Sequence, residues 1–310
     1  QLCIVNRAGE LQRCLDDGPP MHYAGGTPQD WGHYFPVVWG ADGQTIYFAT
    51  EYPNPDSPGG YGRRIVEASV VTGETLRVLY DYPEPYPMSL SPDLHHLTVG
   101  FKYQFLGGSN PTFIHDLTTG TQVDPSTLVP DHTSMYWTCL PFSPSGQFIA
   151  AIAHYDLAEY APQLEAPDDS RDGRGRLLLL LDPQGVPQHI VGEPADSPAI
   201  MWDQECPGWQ ADEQAIVFLA FGENKSRIMR YSLADQQTTT LYEMSYGPGR
   251  ERYVYSPLVP SPDGTHIAMT VSDEYGWDRL VAVLYPDGNI YRIPSPYRFG
   301  LYPLWVPPLE

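Results

Sequence analysis

FSPSG, residues 142–146, decides how this chain is read, because near copies recur along it: WGADG at 39–43, LSPDL at 90–94, WQADE at 209–213 and PSPDG at 260–264. Each copy follows a short apolar or Pro-containing run. Each also precedes a second apolar run: IYFAT, LTVGF, FIAAIA, IVFLAF or IAMTV. Pro presets the backbone angle of the first corner, Asp or Ser bonds its own backbone, and Gly accepts the positive φ that returns the chain. The unit is therefore strand, tight turn, strand. The runs are rich in Ile, Val, Phe and Ala and bounded by Gly, Pro and Asp, which marks buried strands rather than helices.

Counted from Asp42, Asp93, Ser145, Asp212 and Asp263, the copies are spaced by roughly fifty residues, stretched once by an insertion at 155–176. A period of that size belongs to propeller blades, each unable to bury its apolar face alone. The expected fold is an all-β, six-bladed β-propeller in one domain, 1–310. Its blades are expected near 36–82, 87–130, 138–193, 205–243 and 257–294. The sixth is split: a C-terminal strand within 299–310, with Trp305 in the place of Trp39, joins an N-terminal hairpin at 1–16. That closure removes the open edges of the ring.

The phrase x-P-x-[WF]-S-P-D-G-x-x-[IL]-[AV], carried best by Phe142–Ile149 and Pro260–Ala268, resembles the PD40 (WD40-like) repeat of the TolB-like six-bladed β-propellers. The resemblance covers nearly the whole chain and marks a blade, not an activity. The group includes periplasmic envelope proteins, propeller domains of serine peptidases and some pectin-degrading lyases. Neither the α/β domain that precedes the TolB propeller nor a hydrolase domain is expected within these residues.

A formal charge of −21 repels phosphate backbones and anionic membrane, so nucleic acid is excluded as a partner. No apolar run approaches the twenty or so residues that cross a bilayer, so no membrane insertion is expected. The four cysteines fall into two pairs. A two-residue turn at Ala8 and Gly9 would set Cys3 opposite Cys14. Cys139 and Cys206 each stand three residues before Phe142 and Trp209, at equivalent places in consecutive blades. Two disulfides and an oxidising compartment, extracellular or periplasmic, are the expectation.

Gly-x-Ser-x-Gly, His-Glu-x-x-His, Gly-rich phosphate loops and Cys-x-x-Cys do not occur, and the nine histidines are scattered, so no catalytic residue and no cofactor are assigned. Asp168 and Asp172 imitate the start of a calcium loop, but Leu179 stands where the closing Glu belongs. An acidic solvated tip is the simpler reading. Asn224-Lys225-Ser226 is an N-glycosylation sequon on an expected turn.

Aromatic residues gather before each innermost strand. Trp31, Tyr34, Phe35, Tyr86, Tyr136, Trp137, Trp202, Tyr255 and Tyr302 would surround one end of a propeller channel, either as a lid on the core or as a funnel for a glycan or peptide. The split blade would hold three strands where the others hold four, and an unpaired edge accepts a strand from another copy. The expected function is a noncatalytic secreted or cell-surface module that binds protein or glycan and assembles, as a homo-oligomer or filament, through that blade. A polysaccharide lyase and a TolB-like periplasmic partner are the alternatives.

Overall fold

The computed structural model describes residues 3–5, 11–14, 38–40, 43–53, 55, 61–82, 87–100, 112–129, 134–156, 174–191, 207–222, 225–245, 253–272 and 279–293. Strands β1 (Cys3–Val5) and β2 (Leu11–Cys14) pair antiparallel, with Cys3 opposite Cys14. The other strands form five four-stranded antiparallel sheets, each a simple meander. The first holds β3 (Val38–Trp39), β4 (Thr45–Pro53), β5 (Tyr61–Ser69) and β6 (Thr75–Tyr82). The second holds β7 (Pro87–Leu90), β8 (His96–Val99), β9 (Phe113–Asp116) and β10 (Gln122–Val123). The third is β11 (Ser134–Phe142), β12 (Ile149–Asp156), β13 (Arg174–Leu181) and β14 (Pro187–Val191). The fourth is β15 (Gly208–Trp209), β16 (Ala215–Gly222), β17 (Lys225–Ser232) and β18 (Gln237–Ser245). The fifth is β19 (Tyr253–Pro260), β20 (Ile267–Ser272), β21 (Arg279–Leu284) and β22 (Ile290–Ile293). Among the described residues the only helical element is a 3-10 turn, Pro125–Thr127, capped by the Asp124 side chain.

The five phrases become five copies of one turn. The amide of each corner residue donates to the carbonyl five residues on: Gly40 to Thr45, Ser91 to His96, Ser143 to Phe148, Gln210 to Ala215 and Ser261 to His266. The fourth residue closes the corner in left-handed backbone, at Gly43, Leu94, Gly146, Glu213 and Gly264. A second turn, between the third and fourth strands of each sheet, does the same at Gly73, Gly120, Gly185, Gln236 and Gly288. Those ten positions are all the positive-φ residues among the described ones. Three corners carry a buried serine whose hydroxyl accepts the amide of the residue five on, at 2.8 Å from His96, 3.2 Å from Phe148 and 2.9 Å from His266.

Two sheets begin earlier than the spacing implies. In β11, Ser134–Trp137 pair with β12 ahead of a register shift that falls between Trp137 and Phe142. In β19, Tyr253–Tyr255 pair with β20 ahead of a shift that falls before Val259. Pro141 and Pro257 sit inside those shifts, where a missing amide leaves no ladder bond broken. The blade starts expected from sequence, 138 and 257, fall four residues late in both.

The described residues divide into two compact units, Gln1–Val123 and Asp124–Glu310. In the first unit, Tyr47, Ile65 and Tyr80 of the first sheet pack on Leu90, Leu97, Val99 and Phe113 of the second. In the second unit, β16 divides its side chains by parity, as a strand must. Ile216, Phe218 and Ala220 pack on Ala150, Ile152, Leu178 and Leu180 of the third sheet. Val217 and Leu219 pack on Leu258, Ile267, Met269 and Leu284 of the fifth. The central strands are buried on both faces, which explains runs such as Leu177–Leu181 with no polar alternation. Gly208 lets β15 press against β19: a Cβ there would lie 2.0 Å from the Leu258 carbonyl oxygen.

The third, fourth and fifth sheets are also tied through their corners. The Glu213 carboxylate accepts hydrogen bonds from the Ser145 amide and from the Ser145 hydroxyl (2.7 Å). The Gln210 amide nitrogen donates to the Gly264 carbonyl (3.3 Å), and Arg230 donates to the Gln210 oxygen (3.1 Å). The expected C-terminal strand at 299–310, with Trp305, lies outside the described residues.

Candidate functional site

Turn carboxylates come first, because they are the repeated polar groups of the fold. Asp263 accepts from the Ser261 hydroxyl and from the Thr265 amide and hydroxyl, and these hold its carboxyl down to about 2. The Thr119 and Thr118 amides lower Asp116, and the amide and side chain of Asn289 lower Asp287. At Asp93 burial pushes the other way and is outweighed by the Ser91 hydroxyl and the His95 amide. These carboxylates are occupied in holding corners, so the turns' acidity serves the fold.

Between consecutive sheets lies a recurrent aromatic pair. His189 on β14 meets Tyr231 on β17, Nδ1 to hydroxyl 3.2 Å and rings 5.9 Å apart. In the other unit Tyr80 on β6 meets His115 on β9 with ring centroids 4.7 Å apart. Burial lowers the pKa of both histidines, against a small opposing pull from Asp116 on His115. The residue types are exchanged between the two interfaces while the place is kept.

The fifth sheet breaks this pattern. Register places Ala150, Leu180 and His189 in one row of the third sheet, and Ala268, Val283 and Tyr291 in the corresponding row of the fifth. Two rows further along, on the same face, Val191 corresponds to Ile293. Val191 is 1% exposed and Ile293 50%, although they occupy equivalent positions. Ala268 and Val283 on the inner strands are still buried, while Tyr291 is 58% and Tyr285 38% exposed. Tyr285 stands 4.7 Å from both Tyr291 and His266, edge-on to each, so the rings make one aromatic face. On this face the inner residues are buried and the outer ones exposed.

Of the aromatic residues expected to form a funnel, Trp137 lies in β11 with 1% of its surface exposed. It is a core residue and presents nothing to a ligand, because its face of the strand, shared with Met135, is buried. Tyr136 pairs with Ile152 and Tyr255 with Thr270 in the backbone ladder. Trp31, Tyr34, Phe35, Tyr86, Trp202 and Tyr302 lie outside the described residues, as do Asp168, Asp172, Asn224 and Cys206. Cys139 lies within the irregular part of β11. Among the described residues no group of three or more His, Cys, Asp or Glu could hold a metal ion, and no helix is long and apolar enough to cross a membrane.

Solved structures resemble this arrangement. An oligogalacturonate lyase in complex with manganese matches with a TM-score of 0.51 at 14% identity, over 83% of this chain and 63% of that one. A prolyl endopeptidase matches with a TM-score of 0.51 at 14% identity, over 84% of this chain and 35% of that one. The fold is of the propeller type. TolB from Acinetobacter baumannii is similar at 16% identity with a TM-score of 0.47, and this chain spans about half, 53%, of its length. No protein-family profile and no curated protein sequence matches. Likeness at such identities concerns the fold alone. The open outer half of the fifth sheet was not read from sequence. Its signal was available, since YPDGNIYRI places large apolar residues on an outermost strand, where the third sheet has PQHIV.

Proposed function

We propose that the chain is a noncatalytic secreted or cell-surface propeller that binds protein or glycan and assembles with further copies through an incomplete sixth sector. In this reading the two chain ends contribute strands to that sector, and paired cysteines brace it in an oxidising compartment. The observation that carries it is the contrast between Val191 and Ile293: equivalent positions, one sealed by the next sheet and one open. A sector short of its outer strand would cover Ala268 and Val283 and leave Tyr291 and Ile293 bare. A strand from another copy, bringing an aromatic ring as Tyr231 comes to His189, would complete it.

Sedimentation velocity and electron microscopy of the full chain test this. The expected result is association that grows with concentration and is lost in Tyr291→Lys and Ile293→Lys, whose exposed positions tolerate the change in the monomer. A wild-type chain that stays monomeric at all concentrations would overturn the assembly reading.

A further inference from the structure

We infer that the cleft between the corner turns of the third and fourth sheets is a binding site for an organic cation, a primary ammonium or guanidinium group. It is separate from the open face of the fifth sheet and does not depend on self-association. Its volume is ≈ 550 Å³. That suits a small molecule or a single side chain.

One wall is Phe148 and His189 of the third sheet; the other is Leu233 and Ala234 at the turn after β17. The rim carries Asp212 and Glu213, and no Lys or Arg lines the cleft. Both carboxylates have neutral partners: Asp212 accepts the Gln214 amide (3.0 Å), and Glu213 accepts from Ser145 and, at 3.4 Å, from the Ser143 hydroxyl. Their charge is solvated or shared, not cancelled. The field of a chain at −21 adds to it.

The aromatic wall is fixed in place. Phe148 is backed by Trp209, 6.1 Å away and nearly parallel, and is met edge-on by His189 at 5.8 Å. An aromatic ring and two carboxylates lining one cleft are the chemistry that selects an ammonium or guanidinium group: aromatic rings attract cations, the acids take N–H donors, and an anion is repelled. The bond from Glu213 to the Ser145 turn ties the two walls beforehand, so little order has to be created on binding. The buried indole N–H of Trp209, without a protein partner, sits behind that ring and offers a resonance that reports on it.

The cation could arrive free, as a polyamine, or as a Lys or Arg side chain of a polypeptide. Spermidine and a blocked Gly-Arg-Gly tripeptide separate these sources, with glucose as the neutral probe. Titration of the ¹⁵N-labelled full chain, followed at the Trp209 indole N–H and the 212–214 amides, should give saturable shifts with at least one cation and none with glucose. Asp212→Asn keeps the amide acceptor and should weaken binding about threefold. Phe148→Leu should do so by a similar factor. Asp93→Asn, the same change at the equivalent corner of the second sheet, should leave binding as it was. If glucose shifts the same signals, if neither cation does, or if Asp93→Asn weakens binding as much as Asp212→Asn, the site is not a cation site.

Discussion

Gln236 and Gly264 occupy the same kind of backbone, at φ 55 and φ 69, with opposite consequences for substitution. Gln236 is exposed and carries a side chain where left-handed backbone disfavours one. Gln236→Gly should raise stability by about 0.5–1 kcal/mol, the conformational gain less the entropy that glycine loses, read from the urea midpoint. At Gly264 a Cβ would stand 2.5 Å from the Gln210 side-chain nitrogen, whereas at Gly43 nothing lies within 4 Å. Gly264→Ala should therefore cost about 2 kcal/mol and Gly43→Ala about 1. Asp263 adds a pH dependence of the same corner. Its folded pKa of about 2 lies below the ordinary 3.8, so the stability it gives is complete above pH 3.8 and is lost as pH falls toward 2. Ser261→Ala, which removes the first of its donors, should move the carboxyl back up in an NMR titration.

Sheets obey the same corner chemistry, which is why their order was legible in sequence: Pro, Ser or Asp, and Gly at fixed offsets predicted five strand–turn–strand units, and the structure has five sheets on those turns. Three things were hidden. Leu94 and Glu213 hold left-handed positions normally given to glycine, so their turns read weakly. Pro141 and Pro257 masked the early starts of β11 and β19, since a bulge that absorbs a proline has no local signature. Trp137 read as a loop aromatic because burial on one face of a strand depends on the partner sheet, not on neighbours in sequence. Contacts between sheets give predictions of their own. His115 and His189 are held neutral by burial, with folded pKa below 6.5, so stability is complete above that pH and declines as pH falls below it. The urea midpoint should drop between pH 7.5 and 5.5, and His189→Gln should remove part of that drop. Gly208→Ala should cost about 3 kcal/mol, since the obstruction is the Leu258 backbone rather than a movable side chain.

For the molecule as a whole, charge is the term that the local rules leave out. Acidic residues number 38 against 17 basic ones, and among the described residues Arg77 pairs with Glu67 and Arg227 with Glu243, each across the outer two strands of a sheet. Aspartates at the corners are stabilised by backbone amides and hydroxyls, which accommodate a local negative charge but do nothing for its repulsion of the next one. Folding thus gathers uncompensated charge against a core whose stability comes from burial between sheets, and self-repulsion works against the compact state. Salt screens that repulsion while barely touching the buried contacts. Raising ionic strength from about 0.01 to 0.15 M shortens the screening length from about 30 Å to about 8 Å, so repulsion between charges further apart than that is largely removed. The melting temperature should rise over that range in sodium chloride, by calorimetry of the full chain. It should rise equally in potassium chloride, because screening depends on ionic strength and not on the ion. A melting temperature that falls with salt would mean that net attraction between charges, and not their repulsion, contributes to holding the sheets together.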